Sequence, residues 1–223
     1  MAYKVLLSDV GNVMAPFFPK RFTLALSRMA DMSVERAETL FYREMEGELT
    51  AAANGCKGLH RGILTGELSS EEFHLAVQER FGCALPADGF WPAFCDIFDP
   101  NTRIVELWDN LRRSGRIERI VLVSDADPRR LRRALDLTGL RPDAMAVSYE
   151  VGQLKPHEAM YRRALSLARA RPQECVFVDD LAENVSAARE FGIESFQYLY
   201  KELGVDAATD VLIEEFKHIG LLD

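Results

Sequence analysis

The sequence predicts an α/β protein, a doubly wound parallel sheet of Rossmann-like type with an all-helical segment inserted after its first strand. Short apolar runs alternate with helical patterns in the second half of the chain, as they do in parallel βαβ units. Three of the apolar runs end in an aspartate or in a serine followed by an aspartate. The segment from about residue 17 to residue 95 has helical periodicity throughout and no convincing strand.

The first strand is expected over Tyr3–Ser8, a short apolar run bounded by turn residues. The helical segment that follows has two helix-start signals, MSVE at 32–35 and LSSEE at 68–72, each with a serine ahead of acidic first-turn residues. We therefore expect an α/β core formed by residues 1–16 and 96–223, and a helical cap formed by residues 17–95.

The remaining elements follow from start and stop residues. Asn101 or Thr102 starts a helix that Gly115 ends, and Asp127 or Pro128 starts the next one. Helices are expected over Thr102–Ser114, Pro128–Leu137, Pro156–Ala170, Glu183–Phe191 and Ala208–His218. Strands are expected over Ile120–Ser124, Ala144–Ser148, Cys175–Val178 and Glu194–Tyr198.

Composition narrows the classes of function. The chain of 223 residues has a net charge of -8, which argues against general nucleic-acid binding, since that depends on Lys and Arg at phosphates. No apolar stretch approaches the roughly 20 residues that span a bilayer, and no signal peptide is recognisable. The four cysteines lack metal-type spacing, and Cys175 is expected to be buried. We expect a soluble protein of the reducing cytoplasm, with no nucleic-acid or membrane partner.

Polar residues stand where three of the expected strands end. Asp9 follows the first strand, Ser124 closes the second, and Asp179 and Asp180 follow the run Val176–Val178. Ligands of an open parallel sheet bind beyond the carboxyl ends of strands that lie about 4.8 Å apart, so these groups can converge. Converging carboxylates repel one another unless a cation neutralises them. A divalent ion that prefers oxygen ligands, Mg²⁺, is the expected cofactor.

Four motifs carry a resemblance to a known family. They are Asp9 in LLSDVGNV, Ser124 in VLVSD, Lys155 in VGQLKPHEAMYRRAL, and Asp179-Asp180 in VFVDDLAENV. In their order and spacing, over nearly the whole chain, the sequence resembles the haloacid dehalogenase superfamily of phosphatases. The helical insertion resembles that family's cap of the first type. The D-x-G-N-V form, GELSSEEF and DDLAEN most resemble bacterial sugar-phosphate phosphatases and the phosphatase domain of soluble epoxide hydrolase.

The resemblance implies a Mg²⁺-dependent phosphatase that acts on a small phosphorylated metabolite such as a sugar phosphate. Asp9 would be the nucleophile that forms an aspartyl-phosphate. The Mg²⁺ ion would bind Asp9, the main-chain carbonyl of Gly11 and Asp180. Ser124 would donate a hydrogen bond to the phosphoryl group.

The same resemblance assigns a charge-neutralising role to Lys155. Its ammonium group would offset charge on the nucleophile and on the phosphoryl group, and Asp179 would hold it in place. Asn184 would brace the loop after the fourth strand. Contacts to the substrate are expected from Gly11, Asn12, Asp125 and Asn184.

The sequence departs from the family at Gly11, where most of these phosphatases have a second Asp that acts as general acid and base. Such help is worth about 10²–10⁴ in rate. Three hypotheses remain. The first is a phosphatase for substrates whose leaving group needs little protonation, such as a sugar 1-phosphate. The second is a weakly catalytic or non-catalytic module that binds a phosphorylated ligand or a protein partner, and the third is a metal-independent 2-haloacid dehalogenase. The pair Asp179-Asp180 argues against the last.

A second departure is Asp125, which stands where the family usually has Asn. It is either a displaced acid that compensates for Gly11, a contact to a sugar hydroxyl, or a turn residue that faces away. The basic run at 128–133 is expected to be the solvated face of a helix. Two further groups are expected to have no site role: the histidines His60, His74, His157 and His218, and the aromatic residues Phe90, Trp91 and Phe94, which should pack within the cap.

Overall fold

A computed structural model describes residues 3–43 and 58–223. The described residues form one five-stranded sheet in the order β3-β2-β1-β4-β5, with every neighbouring pair parallel. The strands are β1 (Val5–Ser8), β2 (Arg119–Ser124), β3 (Ala144–Val147), β4 (Cys175–Asp179) and β5 (Glu194–Gln197). The chain builds outward from β1 to β3 and then crosses to β4, so the strand order reverses beside β1. The predicted doubly wound α/β fold is confirmed.

The helices that the structure describes flank the sheet and form the insertion. They are α1 (Lys20–Met29), α2 (Val34–Glu38, continued by a π-helical turn at Thr39–Arg43), α3 (Leu59–Thr65), α4 (Ser70–Phe81), α5 (Ala87–Cys95), α6 (Thr102–Arg113), α7 (Pro128–Thr138), α8 (Ser148–Val151), α9 (Glu158–Ala168), α10 (Ala182–Glu190) and α11 (Tyr200–His218). The short helix α8 is absent from the sequence expectations. Helix α11 begins earlier than expected and is kinked at Gly204, where φ is 79°.

Local sequence explains where the helices begin. The Asn101 side chain accepts a hydrogen bond from the Ile104 N–H at the start of α6. The Asp127 side chain caps α7, whose first position is Pro128, a residue with no N–H to leave unpaired. Ser69 forms a capping box with Glu72 at the start of α4. The start signals read from the sequence are therefore used as N-caps.

The core of the sheet is filled on both faces by alternate strand residues. One face packs against α6 and α11 through a buried cluster that includes Leu6, Leu122, Val176, Trp108 and Phe216. The other face packs against α9 through a cluster that includes Leu7, Val121, Phe177, Met160 and Tyr161. Both faces are apolar because helices cover both sides of a parallel sheet. This rigid base fixes the positions of the strand ends.

The described helices of the insertion have an apolar cluster of their own. Its aromatic rings include Phe22, Phe73, Phe90 and Phe94, all fully buried, with Trp91 packed against them. Phe90 and Phe94 stack with ring centroids 5.8 Å apart. The expectation that these aromatic residues pack within the insertion is confirmed. The division into a core of 1–16 and 96–223 and a cap of 17–95 stays a prediction, and residues 44–57 of that cap lie outside the described part.

Two smaller expectations concern cysteines and membranes. Cys83, Cys95 and Cys175 are free thiols, and Cys175 is fully buried, as expected for a small apolar residue. Cys56 lies outside the described residues. Among the helices of residues 3–43 and 58–223, none has the length and apolar character needed to cross a bilayer.

Candidate active site

Asp9 lies directly beyond the carboxyl end of β1, at the place where the strand order reverses. Its main-chain N–H donates to the carbonyl of Val178 over 2.9 Å, which extends the β1–β4 pairing by one residue. Only 7% of the residue is exposed. Burial raises the pKa of Asp9 to about 8. The positive charge of Lys155 acts to lower this pKa, and the negative charge of Asp179 acts to raise it. A cation in addition to Lys155 would therefore favour the ionised form of this carboxylate at neutral pH.

Lys155 joins the two strand ends. Its Nζ lies 2.8 Å from Oδ1 of Asp9 and 2.7 Å from Oδ2 of Asp179, and its side chain is only 2% exposed. Burial acts to lower the pKa of Lys155, but the charges of Asp179 and Asp9 outweigh it and hold the pKa well above its usual value. The ammonium group is thus a permanent positive charge in the crevice.

Asp179 is fully buried, and both of its oxygens are occupied. Oδ2 accepts from Lys155, while Oδ1 accepts from the Leu181 N–H and from Nδ2 of Asn184, each over 2.9 Å. Asn184 is itself tied by its main-chain oxygen, which accepts from the hydroxyl of Tyr161 over 2.9 Å. Asn184 and Lys155 thus bind opposite oxygens of the Asp179 carboxylate. The role of Asn184 in bracing the loop, which the resemblance implied, stays a prediction.

Asp180 has different neighbours. Its Oδ2 accepts from Nδ2 of Asn12 over 3.0 Å and lies 3.0 Å from Nζ of Lys201. Asn12 has φ 55°, a left-handed conformation that Asn tolerates better than most residues and that turns its amide toward β4. Lys201, whose side chain is 55% exposed, is a site neighbour that sequence reasoning missed. Nothing in the local sequence marks it, because its position depends on the path of the chain after β5.

The acidic groups at these strand ends fit a divalent cation. Asp9, Asp179 and Asp180 each offer an oxygen, and these three oxygens lie within 4.8 Å of one another. Their three negative charges exceed the single buried ammonium of Lys155, and hard oxygen donors are those that Mg²⁺ prefers. Since both oxygens of Asp179 already accept hydrogen bonds, Asp9 and Asp180 are the carboxylates best placed to hold the ion. A contribution from the Gly11 carbonyl stays a prediction.

Ser124 and Asp125 follow β2 on the other side of Asp9. Ser124 is buried at the end of the strand. Both carboxylate oxygens of Asp125 accept from the main-chain N–H of Lys155, over 3.0 and 3.2 Å. Burial raises the pKa of Asp125, and the neighbouring Lys155 lowers it in part. The carboxylate thus holds the loop that carries Lys155, a bond that none of the interpretations from sequence included.

Gly11 has room for a side chain. A Cβ atom built on it would meet nothing within 4 Å, and its backbone is outside the left-handed region. Packing therefore does not require glycine at this position. The loss of a second acid at residue 11, which the resemblance implied, stays a prediction.

A cavity of about 140 Å³ leads from the strand ends toward the insertion. Gly11, Ser124 and Asp125 are among its lining residues, together with residues of α3, of α7 and of the segment between α5 and α6. The full lining is Val10, Gly11, Phe17, His60, Leu64, Ile97, Phe98, Ser124, Asp125, Ala126, Asp127, Arg130, Leu131 and Ala134. The cavity is contiguous with the candidate site and lies between the sheet and the insertion.

The basic run on α7 differs from its expected role as a solvated helix face. The guanidinium of Arg129 lies 4.2 Å from the ring centroid of Trp91, and that of Arg130 lies 3.7 Å from the centroid of Phe94. Arg130 also donates to the main-chain oxygen of Phe94 over 3.1 Å. The expectation of a solvated face is wrong for these two arginines, because a cap helix packs against them. The sequence alone could not pair α7 with α5.

A family model described as haloacid dehalogenase-like hydrolase matches residues 93–192. Among curated proteins, the chain is 37% identical over 51 residues to bifunctional epoxide hydrolase 2 of Rattus norvegicus, a match that spans 23% of this chain and 9% of that relative. The chain therefore covers only a small part of that relative's length.

Solved structures share the fold at low identity. A haloacid dehalogenase family enzyme of Bacteroides thetaiotaomicron, in complex with magnesium and inorganic phosphate, superposes with TM-score 0.71 at 18% identity, covering 88% of this chain and 94% of that chain. A predicted hydrolase of the same family from Porphyromonas gingivalis gives TM-score 0.69 at 19% identity, covering 95% and 98%. Together, the family-model match and the shared fold support a hydrolase of the haloacid dehalogenase superfamily.

The predicted site residues fall into two connected groups. One lies at the ends of β1 and β4: Asp9, Lys155, Asp179 and Asn184 are joined by hydrogen bonds and ion pairs, and the hydrogen-bonded pair Asn12–Asp180 lies beside them. The other lines the adjoining cavity and is composed of Gly11, Ser124 and Asp125. Their individual roles in binding and catalysis stay predictions. His60, which was expected to have no site role, also lines the cavity.

Proposed function

We propose that the protein is a Mg²⁺-dependent phosphatase of a small phosphorylated metabolite, and that Asp9 carries the phosphoryl group between the two half-reactions. The observation that carries the proposal is the buried carboxylate of Asp9, which lies 2.8 Å from Lys155 and shares an oxygen cluster with Asp180. A buried carboxylate next to a fixed positive charge can serve as a nucleophile toward phosphorus.

In the first half-reaction a carboxylate oxygen of Asp9 attacks phosphorus, and the bond from phosphorus to the leaving oxygen breaks. In the second, a water oxygen attacks the same phosphorus, which releases phosphate and restores the carboxylate. Lys155 offsets the negative charge of Asp9 and of the phosphoryl oxygens throughout. A Mg²⁺ ion held by Asp9, Asp180 and the Gly11 carbonyl would supply further neutralisation of phosphoryl charge. Ser124 is proposed to donate to a phosphoryl oxygen.

Proton transfer to the leaving group has no evident donor at residue 11. Asp125, the proposed substitute acid, is engaged with the main chain of Lys155. We therefore propose substrates whose leaving oxygen needs little protonation. Sugar 1-phosphates are one class of this kind, and they follow from the sequence resemblance rather than from a contact in the site.

The experiment that tests this function is a screen of phosphate monoesters with Mg²⁺, with chelator and with a 2-haloacid, in which Asp9→Asn is the control variant. We expect phosphate release that requires Mg²⁺ and is lost in Asp9→Asn. Halide release that persists in chelator would instead identify a dehalogenase. Binding of phosphorylated ligands without turnover would identify a binding module. Phosphate release that survives in Asp9→Asn would refute the assignment of the nucleophile.

A further inference from the structure

We propose that the cavity between the strand ends and the insertion is the leaving-group pocket, and that it selects a compact, uncharged and largely apolar alcohol, as in an aryl phosphate monoester. The inference rests on the proposed phosphatase function, because it takes the phosphoryl group to lie at Asp9. Leu64 and His60, two residues of α3, would determine which leaving groups the cavity accepts.

The position of the cavity supports this role. Gly11 and Ser124 both line it: Gly11 lies two residues after Asp9, and Ser124 is the last residue of β2, which pairs with β1. A phosphate ester whose phosphorus is near Asp9 must direct its alcohol away from the sheet. Because Gly11 and Ser124 line the cavity next to Asp9, this cavity is the space that would receive the alcohol.

The size and lining of the cavity limit what can enter. Its volume is about 140 Å³, and a cavity of about 150 Å³ lined by Leu, Ile and Phe in another protein binds benzene. A six-carbon ring is therefore the scale of group that fits. Most of the lining is apolar, namely Val10, Phe17, Leu64, Ile97, Phe98, Ala126, Leu131 and Ala134.

The one imidazole in the lining offers a single donor. Nη1 of Arg130 lies 3.4 Å from Nε2 of His60. Burial lowers the pKa of His60 to about 3, and the charge of Arg130 adds to that effect, so the ring is neutral at ordinary pH. Because a guanidinium only donates, Nε2 accepts and Nδ1 carries the proton. The ring can therefore meet one oxygen of the leaving group, but it cannot serve a ligand with many hydroxyls.

The charges of the lining disfavour a second anionic group. Asp125 and Asp127 are two carboxylates, and Arg130 is the positively charged residue that shares the lining with them. Arg130 is already engaged with Phe94 and His60, and its Nε lies 3.9 Å from Asp127. A carboxylate on the leaving group would thus meet two carboxyl groups and an arginine that already has partners. A polyhydroxylated sugar would lose water from hydroxyls that find few partners among the described lining residues.

This selectivity agrees with the missing acid at Gly11. An aryl alcohol stabilises the negative charge left on its oxygen by delocalisation, so it departs without a proton donor. The cavity favours an aryl group because of its size and apolar lining. Gly11 independently favours the same class of substrate, because an aryl alcohol can leave without a proton donor.

The test is a binding comparison that does not depend on turnover. With Mg²⁺ present, the full chain is titrated calorimetrically with methylphosphonate, phenylphosphonate, 2-naphthylphosphonate and glucose 1-phosphate. We expect phenylphosphonate to bind at least about tenfold more tightly than methylphosphonate, and more tightly than glucose 1-phosphate. Leu64→Ala should raise the ratio of naphthyl to phenyl affinity by about tenfold, because it enlarges the cavity.

The matched control is Leu75→Ala, on α4, because Leu75 is 64% exposed and does not line the cavity. It should leave both ratios unchanged. Phenylphosphonate that binds no better than methylphosphonate, or Leu64→Ala and Leu75→Ala that behave alike, would overturn the pocket assignment. Ratios measured on one preparation are unaffected by a partly unfolded fraction. Turnover of phenyl phosphate, measured in parallel, tests the phosphatase proposal separately, since phosphonates report on the pocket even without catalysis.

Discussion

Restoring a carboxylate at position 11 should supply the proton donor that the site lacks. The substitution is Gly11→Asp. A side chain fits there, because a Cβ atom would meet nothing within 4 Å and the backbone has no left-handed strain to penalise a side chain. The fold should therefore tolerate the change when Mg²⁺ is present to offset one more negative charge beside Asp9.

The size of the gain should depend on the leaving group. A positioned general acid is worth about 10²–10⁴ in rate where the leaving oxygen must be protonated. We expect kcat for an alkyl phosphate to rise by about 10² in Gly11→Asp. For 4-nitrophenyl phosphate, whose leaving group departs as a stable anion, we expect little change. The variant should thus flatten the dependence of rate on leaving-group basicity.

The assay is phosphate release from a series of alkyl and aryl phosphates at saturating Mg²⁺. The matched control is Gly11→Asn, which has nearly the same shape but cannot donate a proton as an acid does. If Gly11→Asp and Gly11→Asn give the same rates across the series, the reasoning that residue 11 is the missing acid position is refuted.

Three further predictions concern the charges around Asp9. Without metal, Lys155→Met should lower the free energy of unfolding by about 3–5 kcal/mol, since buried carboxylates lose their partner. Lys201→Met, at an exposed ion pair, should lower it by at most about 1 kcal/mol. Equal effects of the two substitutions in denaturant titrations would contradict the assignment of Lys155 as the buried partner of these carboxylates. Protonation of Asp9, whose pKa is about 8, competes with Mg²⁺ binding. The calorimetric Mg²⁺ affinity should therefore increase about tenfold for each unit that the pH is raised toward 8, and level off above pH 8; a flat profile would exclude competition. Asp125→Asn should lower turnover equally at all pH values, because it loosens the Lys155 loop; loss confined to one limb of the pH profile would instead favour an acid role.

The fold could be predicted because its signals are local. β1, β2 and β4 are short apolar runs bounded by turn residues, and the caps at Asn101 and Asp127 use side chains one turn away. The order of strands then follows from right-handed βαβ connections. Most helix ends differ from the expected ones by one or two residues, but α11 begins eight residues earlier than expected. The short helix α8 was not predicted, because four residues carry no periodic pattern.

The site was predictable where chemistry stands at strand ends and unpredictable where it depends on packing between distant segments. Asp9 and Asp179 follow their strands directly, so adjacency in the sheet brings them together. Lys201 reaches Asp180 only because of the turn after β5. His60 meets Arg130 across 70 residues of sequence, and a lone histidine without ligand spacing gives no signal of such a contact.

The central claim is that Asp9 receives the phosphoryl group. The most direct measurement is a rapid quench during turnover of a phosphate monoester with Mg²⁺, followed by borohydride reduction of the acyl phosphate and peptide mass spectrometry. The account predicts a reduced side chain at residue 9, which disappears when Mg²⁺ is removed. Phosphate release with an unmodified Asp9, or modification at a different carboxylate, would contradict it.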